Sequence, residues 1–211
     1  FADIAGILQC VDMETMTCVW AVNLKDSAHA SVALEESADG SVALYVGTIV
    51  RFTGDGARNA FMRRFDALTG EMIWENTVRV QYHRNDVRNG VASSPLIGKE
   101  GIYDMVVFTV DKTSDGATMF ALNKETGAEL WAQPLDANTW SSPTAVYTRE
   151  GTAYIVIGDK NGALRLLDGF NGTVLDTLQL SSGAIDCSPA IYRDMIVVSS
   201  TEAKIYGVRI R

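Results

Sequence analysis

Apolar and polar residues alternate along most of this chain in short runs broken by tight turns. The clearest stretch runs from Trp140 to Leu180. Ser141 to Tyr147 reads as a first strand, turned by Arg149-Glu150-Gly151. Ala153 to Ile157 is a denser second strand, and Asp159-Lys160-Asn161-Gly162 turns it back. Ala163 to Asp168 is a third, and after Phe170-Asn171-Gly172 the run Val174 to Leu180 alternates cleanly as a fourth. A period of two residues, punctuated by Asn-Gly turns, predicts antiparallel hairpins. The same order predicts strands near 91–97, 103–110, 117–123 and 128–135, and near 29–35, 41–48, 60–66 and 71–80. The stretch 6–24 supplies a third and fourth strand only. At the other end, 186–192, 195–200 and 203–210 supply a first, second and third. No helical period of useful length occurs.

The unit of about 50 residues carries its own marker, a turn of the form Asp/Asn-x-x-Thr-Gly-x-x-x-Trp. Asp66 to Trp74 and Asn123 to Trp131 are the clearest copies. Asp12 to Trp20 lacks the Gly. In Asp168 to Asp176, Asn171-Gly172 fills the turn and Asp176 stands where Trp is expected. Glycine takes the positive φ such a turn requires. Trp supplies a broad flat surface for packing one unit on the next. Each four-stranded sheet has two apolar faces, so units must stack to bury them.

Composition narrows the classes. With 211 residues and 47% apolar content the chain can bury a substantial core. Its 18 Gly and 4 Pro suit many tight turns. A net charge of −8 argues against a general nucleic-acid binder. No apolar run approaches 18 residues, so no transmembrane segment is expected. The chain starts at Phe1-Ala2-Asp3, inside a repeat, which predicts a piece of a longer protein. Three cysteines, Cys10, Cys18 and Cys187, are an odd count for a stapled scaffold. A hairpin centred on Thr15 pairs Cys10 with Val19 and Cys18 with Val11. That puts the two on opposite faces, and small buried hydrophobes are the favoured reading over a disulfide.

The in-phase motifs resemble the tryptophan-docking motif of the PQQ-like (quinoprotein and outer-membrane-assembly type) propeller repeat family. Ala121, Asn123, Thr126, Gly127 and Trp131 match its pattern closely. Asp66, Thr69, Gly70 and Trp74 match it with Arg64 at the usual Ala. The steps Ser93-Ser94-Pro95, Ser141-Ser142-Pro143 and Cys187-Ser188-Pro189 resemble the family's first strands. The resemblance implies an all-β fold, a β-propeller of four-stranded antiparallel blades with PQQ-like repeats. The chain would be an incomplete piece of a seven- or eight-bladed ring. Within residues 1–211 it implies a partial blade at 6–24, blades at 29–80, 91–136 and 140–180, and a partial blade at 186–211. A small ring closed by pairing 6–24 with 186–200 remains open, although it leaves strand 203–210 surplus. Trp20, Thr69, Gly70, Trp74, Thr126, Gly127 and Trp131 are then structural docking residues.

Chemistry is harder to find. A catalytic quinoprotein would show a PQQ channel, an acidic and Asn-based calcium site, a catalytic Asp and often an adjacent Cys pair. The chain has no such Cys pair, and Asp66, Asp111, Asp115, Asp159 and Asp168 sit in turns, which favour Asp for structural reasons. The only histidines, His29 and His83, are too few for a histidine-rich metal centre. The Ser-x-Pro steps could line a channel, but they recur with the repeat and read as structural.

One region breaks the repeat. Trp131 to Pro143 is 12 residues and Trp74 to Pro95 is 21, an insertion of nine around 82–89. The loop around 51–59 is also long. Residues 51–88 hold seven of the 18 basic residues, all Arg, against five acids, for a local charge of +2 against −10 elsewhere. Arg51, Arg58, Arg79, Tyr82, His83, Arg84 and Arg88 are therefore the candidate site for an anionic group or an acidic protein surface. The competing reading pairs these arginines with acids of the same fold. The functional expectation is a non-enzymatic interaction or scaffolding module with no cofactor, binding a protein partner or the remaining blades. Alternatives are part of a PQQ- and calcium-dependent dehydrogenase, or a carbohydrate-binding surface module. The resemblance also implies an extracytoplasmic location.

Overall fold

The computed structural model describes residues 1–50, 56–82, 89–113 and 116–210, with the backbone alone at 56, 57 and 82. The alternating runs become seventeen strands among these residues, joined by turns and one short 3-10 segment, Glu100–Ile102. They make five antiparallel sheets in chain order. The first holds β1 (Ile7–Val11) and β2 (Cys18–Asn23). The second holds β3 (Ala33–Glu36), β4 (Val42–Gly47), β5 (Gly56–Asp66) and β6 (Met72–Tyr82). The third holds β7 (Leu96–Ile97), β8 (Met105–Val110), β9 (Thr118–Asn123) and β10 (Glu129–Pro134). The fourth holds β11 (Thr144–Tyr147), β12 (Ala153–Gly158), β13 (Ala163–Asp168) and β14 (Val174–Gln179). The fifth holds β15 (Ala190–Tyr192), β16 (Met195–Ser200) and β17 (Lys204–Arg209).

The expectation of a β-propeller is corrected by this topology. Among the described residues no strand of the first sheet pairs with a strand of the fifth, and the sheets form an open series without a closed ring. The small-ring alternative fails for a local reason. Closure needs the free edge of β16, and β17 occupies that edge from Met195 to Ser200 in an unbroken antiparallel register.

Two further readings change. The stretches around 51–59 and 79–90 are not wholly loops. β5 and β6 are each 11 residues long, and their ladder runs without interruption from Arg64 opposite Trp74 to Gly56 opposite Tyr82. Alternation of Ala60 and Met62, both buried, carries the pairing outward. In the first hairpin Cys10 lies opposite Trp20, one residue from the expected register, because a bulge falls between Cys10 and Val11. All three cysteines are free thiols.

The core is divided among the seams. One apolar cluster joins the first and second sheets around Leu8, Leu24, Val46 and Phe65. A second joins the second and third through Tyr45, Trp74, Val106 and Phe108. A third joins the third and fourth through Met119, Trp131, Ile155 and Leu167. The last, between the fourth and fifth, is built of Val156, Leu164, Ile185, Ile196 and Val198 and contains no Trp.

At three seams an indole lies on the turn of the following sheet. A Cβ on Gly70 would come within 2.7 Å of the Trp20 ring, on Gly127 within 2.8 Å of Trp74, and on Gly172 within 2.5 Å of Trp131. These glycines also hold φ of +76°, +71° and +77°. The turn is shaped by its Asx residue: Asp66 Oδ1 accepts the Leu68 and Thr69 N–H groups and the Thr69 hydroxyl. Asn123 does the same for Glu125 and Thr126. Glycine is thus required twice, for backbone sign and for ring clearance.

Gly127→Ala is therefore expected to cost about 1–2 kcal/mol in left-handed strain and a further 1–3 kcal/mol in overpacking against Trp74. Gly40 holds φ +84° with nothing within 4 Å of its missing Cβ, so Gly40→Ala should cost only the strain. Urea denaturation of both variants checks the difference; equal losses would show that ring clearance contributes nothing.

Candidate functional site

The arginine-bearing edge of the second sheet is only partly described. Arg51, His83, Arg84 and Arg88 lie outside the described residues, and Tyr82 is described by its backbone alone. Arg58 and Arg79 both sit on strands. Arg58 lies opposite the fully buried Val80, whereas Arg79 lies opposite Asn59 and is exposed. Cross-strand partners share a face and neighbours alternate. The two arginines therefore project from opposite faces of the β5–β6 ribbon and do not converge.

Their neighbours Arg63 and Arg64 are tied into seams. Arg63 Nε donates to Glu75 at 2.7 Å and Nη1 to the Leu24 carbonyl at 3.1 Å, reaching the chain just beyond β2. Arg64 Nη1 reaches forward to Glu125 at 2.6 Å and the Lys124 carbonyl at 2.9 Å, on the turn of the third sheet. The reading that pairs arginines with acids of the same fold describes these two.

A set of buried and half-buried charges gave little signal in the sequence. Lys124 is 6% exposed; its ammonium contacts Glu35 of β3 and donates to the Gly98 carbonyl at 2.9 Å. Glu35 also accepts the Tyr45 hydroxyl at 3.3 Å, and burial pushes that phenol above its ordinary range. Asp159, fully buried, accepts the Asn161 and Ala163 N–H groups at Oδ1 and pairs with Arg165 at 3.0 Å through Oδ2. Lys160 lies 3.0 Å over the Trp140 ring and 2.8 Å from Asp186. The only sequence signal for these was Asp-Lys repeated at 111–112 and 159–160, and turn chemistry hid it.

Asp111 differs from the rest. It is 1% exposed, and Oδ1 accepts the Thr139 N–H at 2.8 Å. Burial raises its carboxyl to about 7, opposed by that N–H and by the charges of Lys160 and Lys112, and reinforced by Asp186.

The inner strands carry a second set of seam contacts. Ser142 Oγ accepts the Ser94 N–H at 3.0 Å, and Ser188 Oγ accepts the Ser142 N–H at 3.2 Å. Thr144 Oγ1 donates to the Pro189 carbonyl and Ser141 Oγ to the Cys187 carbonyl. The Ser-x-Pro steps thus link sheet to sheet. The first two, at Ser94-Pro95 and Ser142-Pro143, border a broad hollow of about 570 Å³ that also exposes Glu35, Glu36 and Lys99.

A calcium and quinone site of the dehydrogenase kind does not fit this donor set. Among the described residues no three His, Cys, Asp or Glu side chains converge as metal ligands. The buried carboxylate of Asp159 and the half-buried one of Glu35 already accept donors of the chain. Among the described residues no helix is long and apolar enough to cross a membrane.

Open, repeated four-stranded sheets keyed by Trp-on-turn docking define an all-β repeat protein. The family described as outer membrane protein assembly factor BamB matches residues 58–211, and the chain belongs to it. It is 24% identical over 231 aligned residues to the outer membrane protein assembly factor BamB of Shewanella oneidensis, covering 95% of this chain and 56% of that protein. The crystal structure of BamB from Moraxella catarrhalis superposes with a TM-score of 0.66 at 21% identity, over 99% of this chain and 53% of that one. A quinohemoprotein alcohol dehydrogenase from Pseudomonas putida superposes at 0.60 and 16% identity, over 85% of this chain and 32% of its own. These structural likenesses show the fold alone. The chain spans about half the length of the BamB relatives it matches.

Raised in the folded state, the Asp111 carboxyl favours folding while protonated. Its contribution is full below about 3.8 and is lost as pH rises towards about 7. The urea midpoint should fall across that window and level off above it, and Asp111→Asn should flatten the curve; an unchanged slope in the variant would assign the dependence elsewhere.

The indoles should also separate. Trp74 Nε1 donates to the Lys124 carbonyl at 2.8 Å, whereas Trp131 Nε1 is buried without a hydrogen-bond partner among the described residues. Trp74→Phe should cost about 1 kcal/mol more than Trp131→Phe, the net worth of one hydrogen bond. Thermal melts of the pair measure this.

Proposed function

We propose that this chain is a non-enzymatic protein-interaction module of an outer-membrane assembly factor, acting outside the cytoplasm and needing no cofactor. The match to the assembly-factor family over residues 58–211 is the observation that supports this reading most strongly. The family and the curated relative are named for assembly and not for a reaction. The chemistry of the chain agrees. Lys124, Arg63, Arg64, Asp159 and Arg165 are engaged in ties between and within sheets.

Arg79, exposed on the long β5–β6 ribbon of a net-acidic chain, is the described residue best placed to meet an acidic partner surface. A rim charge of this kind acts mainly on association rate. Arg51, Tyr82, His83, Arg84 and Arg88, close by in sequence, belong to the proposed contact region, whereas Arg58, on the other face of the ribbon, does not.

A photo-crosslinking residue placed at position 79 of the protein carrying this chain should capture an outer-membrane assembly partner in intact cells. The same residue at Glu150, on a turn of the fourth sheet, should capture far less. Alcohol oxidation on adding pyrroloquinoline quinone and calcium to the purified protein, together with no capture at position 79, would overturn the reading.

A further inference from the structure

A hollow of about 210 Å³ lies where the second sheet meets the docking turn of the third. Both sheets are complete, with four strands each. Val42, Phe65 and Ile73 are among its apolar lining, and Arg64, Asp66 and Glu125 supply its charges. Arg64 stands opposite Trp74 on the ladder, where the sheets on either side place Cys10 opposite Trp20 and Ala121 opposite Trp131. The docking contact therefore forms with a small side chain at that position, and the guanidinium is an addition to it.

The guanidinium is only partly satisfied. Nη1 donates to the Lys124 carbonyl and to Glu125, whereas Nε is buried with no hydrogen-bond partner among the described residues. A buried donor on a charged group is costly to leave without an acceptor. That acceptor must also suit the rest of the lining. One cation meets two carboxylates there, which opposes a further anion. Hydrogen bonds from the Thr69 N–H and hydroxyl, with a smaller contribution from the Arg64 charge, hold the Asp66 carboxyl below its ordinary range, so it stays an acceptor at neutral pH. A group that accepts at one atom and donates at the next meets both demands. A primary carboxamide has this form, with its oxygen for the Arg64 Nε–H and its NH2 group for a carboxylate. The volume holds one side chain and not a paired strand, and Val42 and Ile73 suit a methylene stem.

We propose that this hollow is a receptor site for a glutamine side chain of a partner protein, with the carboxamide oxygen on Arg64 Nε and the NH2 group on the carboxylates of Asp66 and Glu125. The proposal rests on the interaction-module reading and specifies the chemistry of one partner contact. Two methylenes give the glutamine amide its reach and pack on Ile73, which is 48% exposed. Arg64 then works in two directions: Nη1 ties the second sheet to the third, and Nε recognises the partner.

N-acetyl-glutaminamide is the probe, added to the isotope-labelled whole protein while the arginine Nε–H signals are followed by NMR. A single side chain in a hollow of this size is expected to bind in about the millimolar range. The Arg64 Nε–H signal should move downfield and saturate, and the methyl signals of Val42 and Ile73 should move with it. The Arg63 Nε–H, which already donates to Glu75, should stay in place. N-acetyl-methioninamide, of similar length without the amide, and the glutamate analogue, which adds a carboxylate, should each bind roughly fivefold more weakly. Arg64→Met should weaken binding roughly tenfold, the loss of a hydrogen bond from a charged donor. Because Arg64→Met also cuts the tie to the third sheet, Ile73→Ser is the second variant. Exposed, it should leave the melting temperature unchanged and weaken binding roughly threefold. An Arg64 signal that stays fixed at the highest probe concentration would leave water as its acceptor and overturn the proposal. Equal binding of the methionine analogue, or unchanged binding in Ile73→Ser, would also overturn it. The same shifts on concentrating the protein alone would assign the hollow to a second copy, and overturn it as well. Crosslinking at position 79 that persists while the probe fails removes the hollow and leaves the interaction reading standing.

Discussion

An indole resting on a glycine of the next sheet is the contact on which the rest of this structure depends. It couples two requirements at one residue. The turn needs a left-handed backbone, and the ring needs a surface without a Cβ, with contacts of 2.5–2.8 Å to any side chain placed there. Because Trp74 also meets Tyr45 and Phe108, at 6.2 and 6.5 Å between ring centres, each docking contact is continuous with the apolar core of its seam. Stability is therefore assembled between neighbouring units, as in other repeat proteins. An inner sheet cannot be removed without exposing the faces of two others.

Charge is subordinate to this arrangement. Arg63 and Arg64 are consecutive on β5, and the alternation of a strand sends one back towards the first sheet and the other forward to the third. Lys124 carries its ammonium into the seam between the second and third sheets, where Glu35 and the Gly98 carbonyl compensate its burial. Groups that could have formed a reaction centre hold the stack together, and what remains for recognition is surface shape and exposed charge. The seam at Asp176 departs from the rule, and aliphatic residues without an indole make its buried cluster.

The hairpins and their turns were legible because they are local. Asp66-x-x-Thr-Gly and Asn123-x-x-Thr-Gly specify an Asx turn within five residues, and the structure shows the same hydrogen bonds at each. The docking partner of each Trp could be expected from phase. The arginine site fared otherwise: its residues are close in sequence, yet Arg58 and Arg79 stand on opposite faces of one ribbon. Lys124 and Asp159 were hidden because nothing in a turn sequence distinguishes a solvated carboxylate from one enclosed by the next sheet. The bulge at Cys10 and Val11 likewise shifted a register that a simple turn count placed one residue away.

By itself the sequence determined the all-β class, the four-stranded unit, the positions of the keyed turns and the loss of one Trp. These follow from φ preferences and a two-residue period, both properties of neighbouring residues. Only the tertiary structure decided that the series stays open, that β17 holds the edge a closed ring would need, and that Lys124 and Asp159 are enclosed. These depend on which strand reaches an edge first and on what faces a side chain across a seam, and no local pattern encodes either.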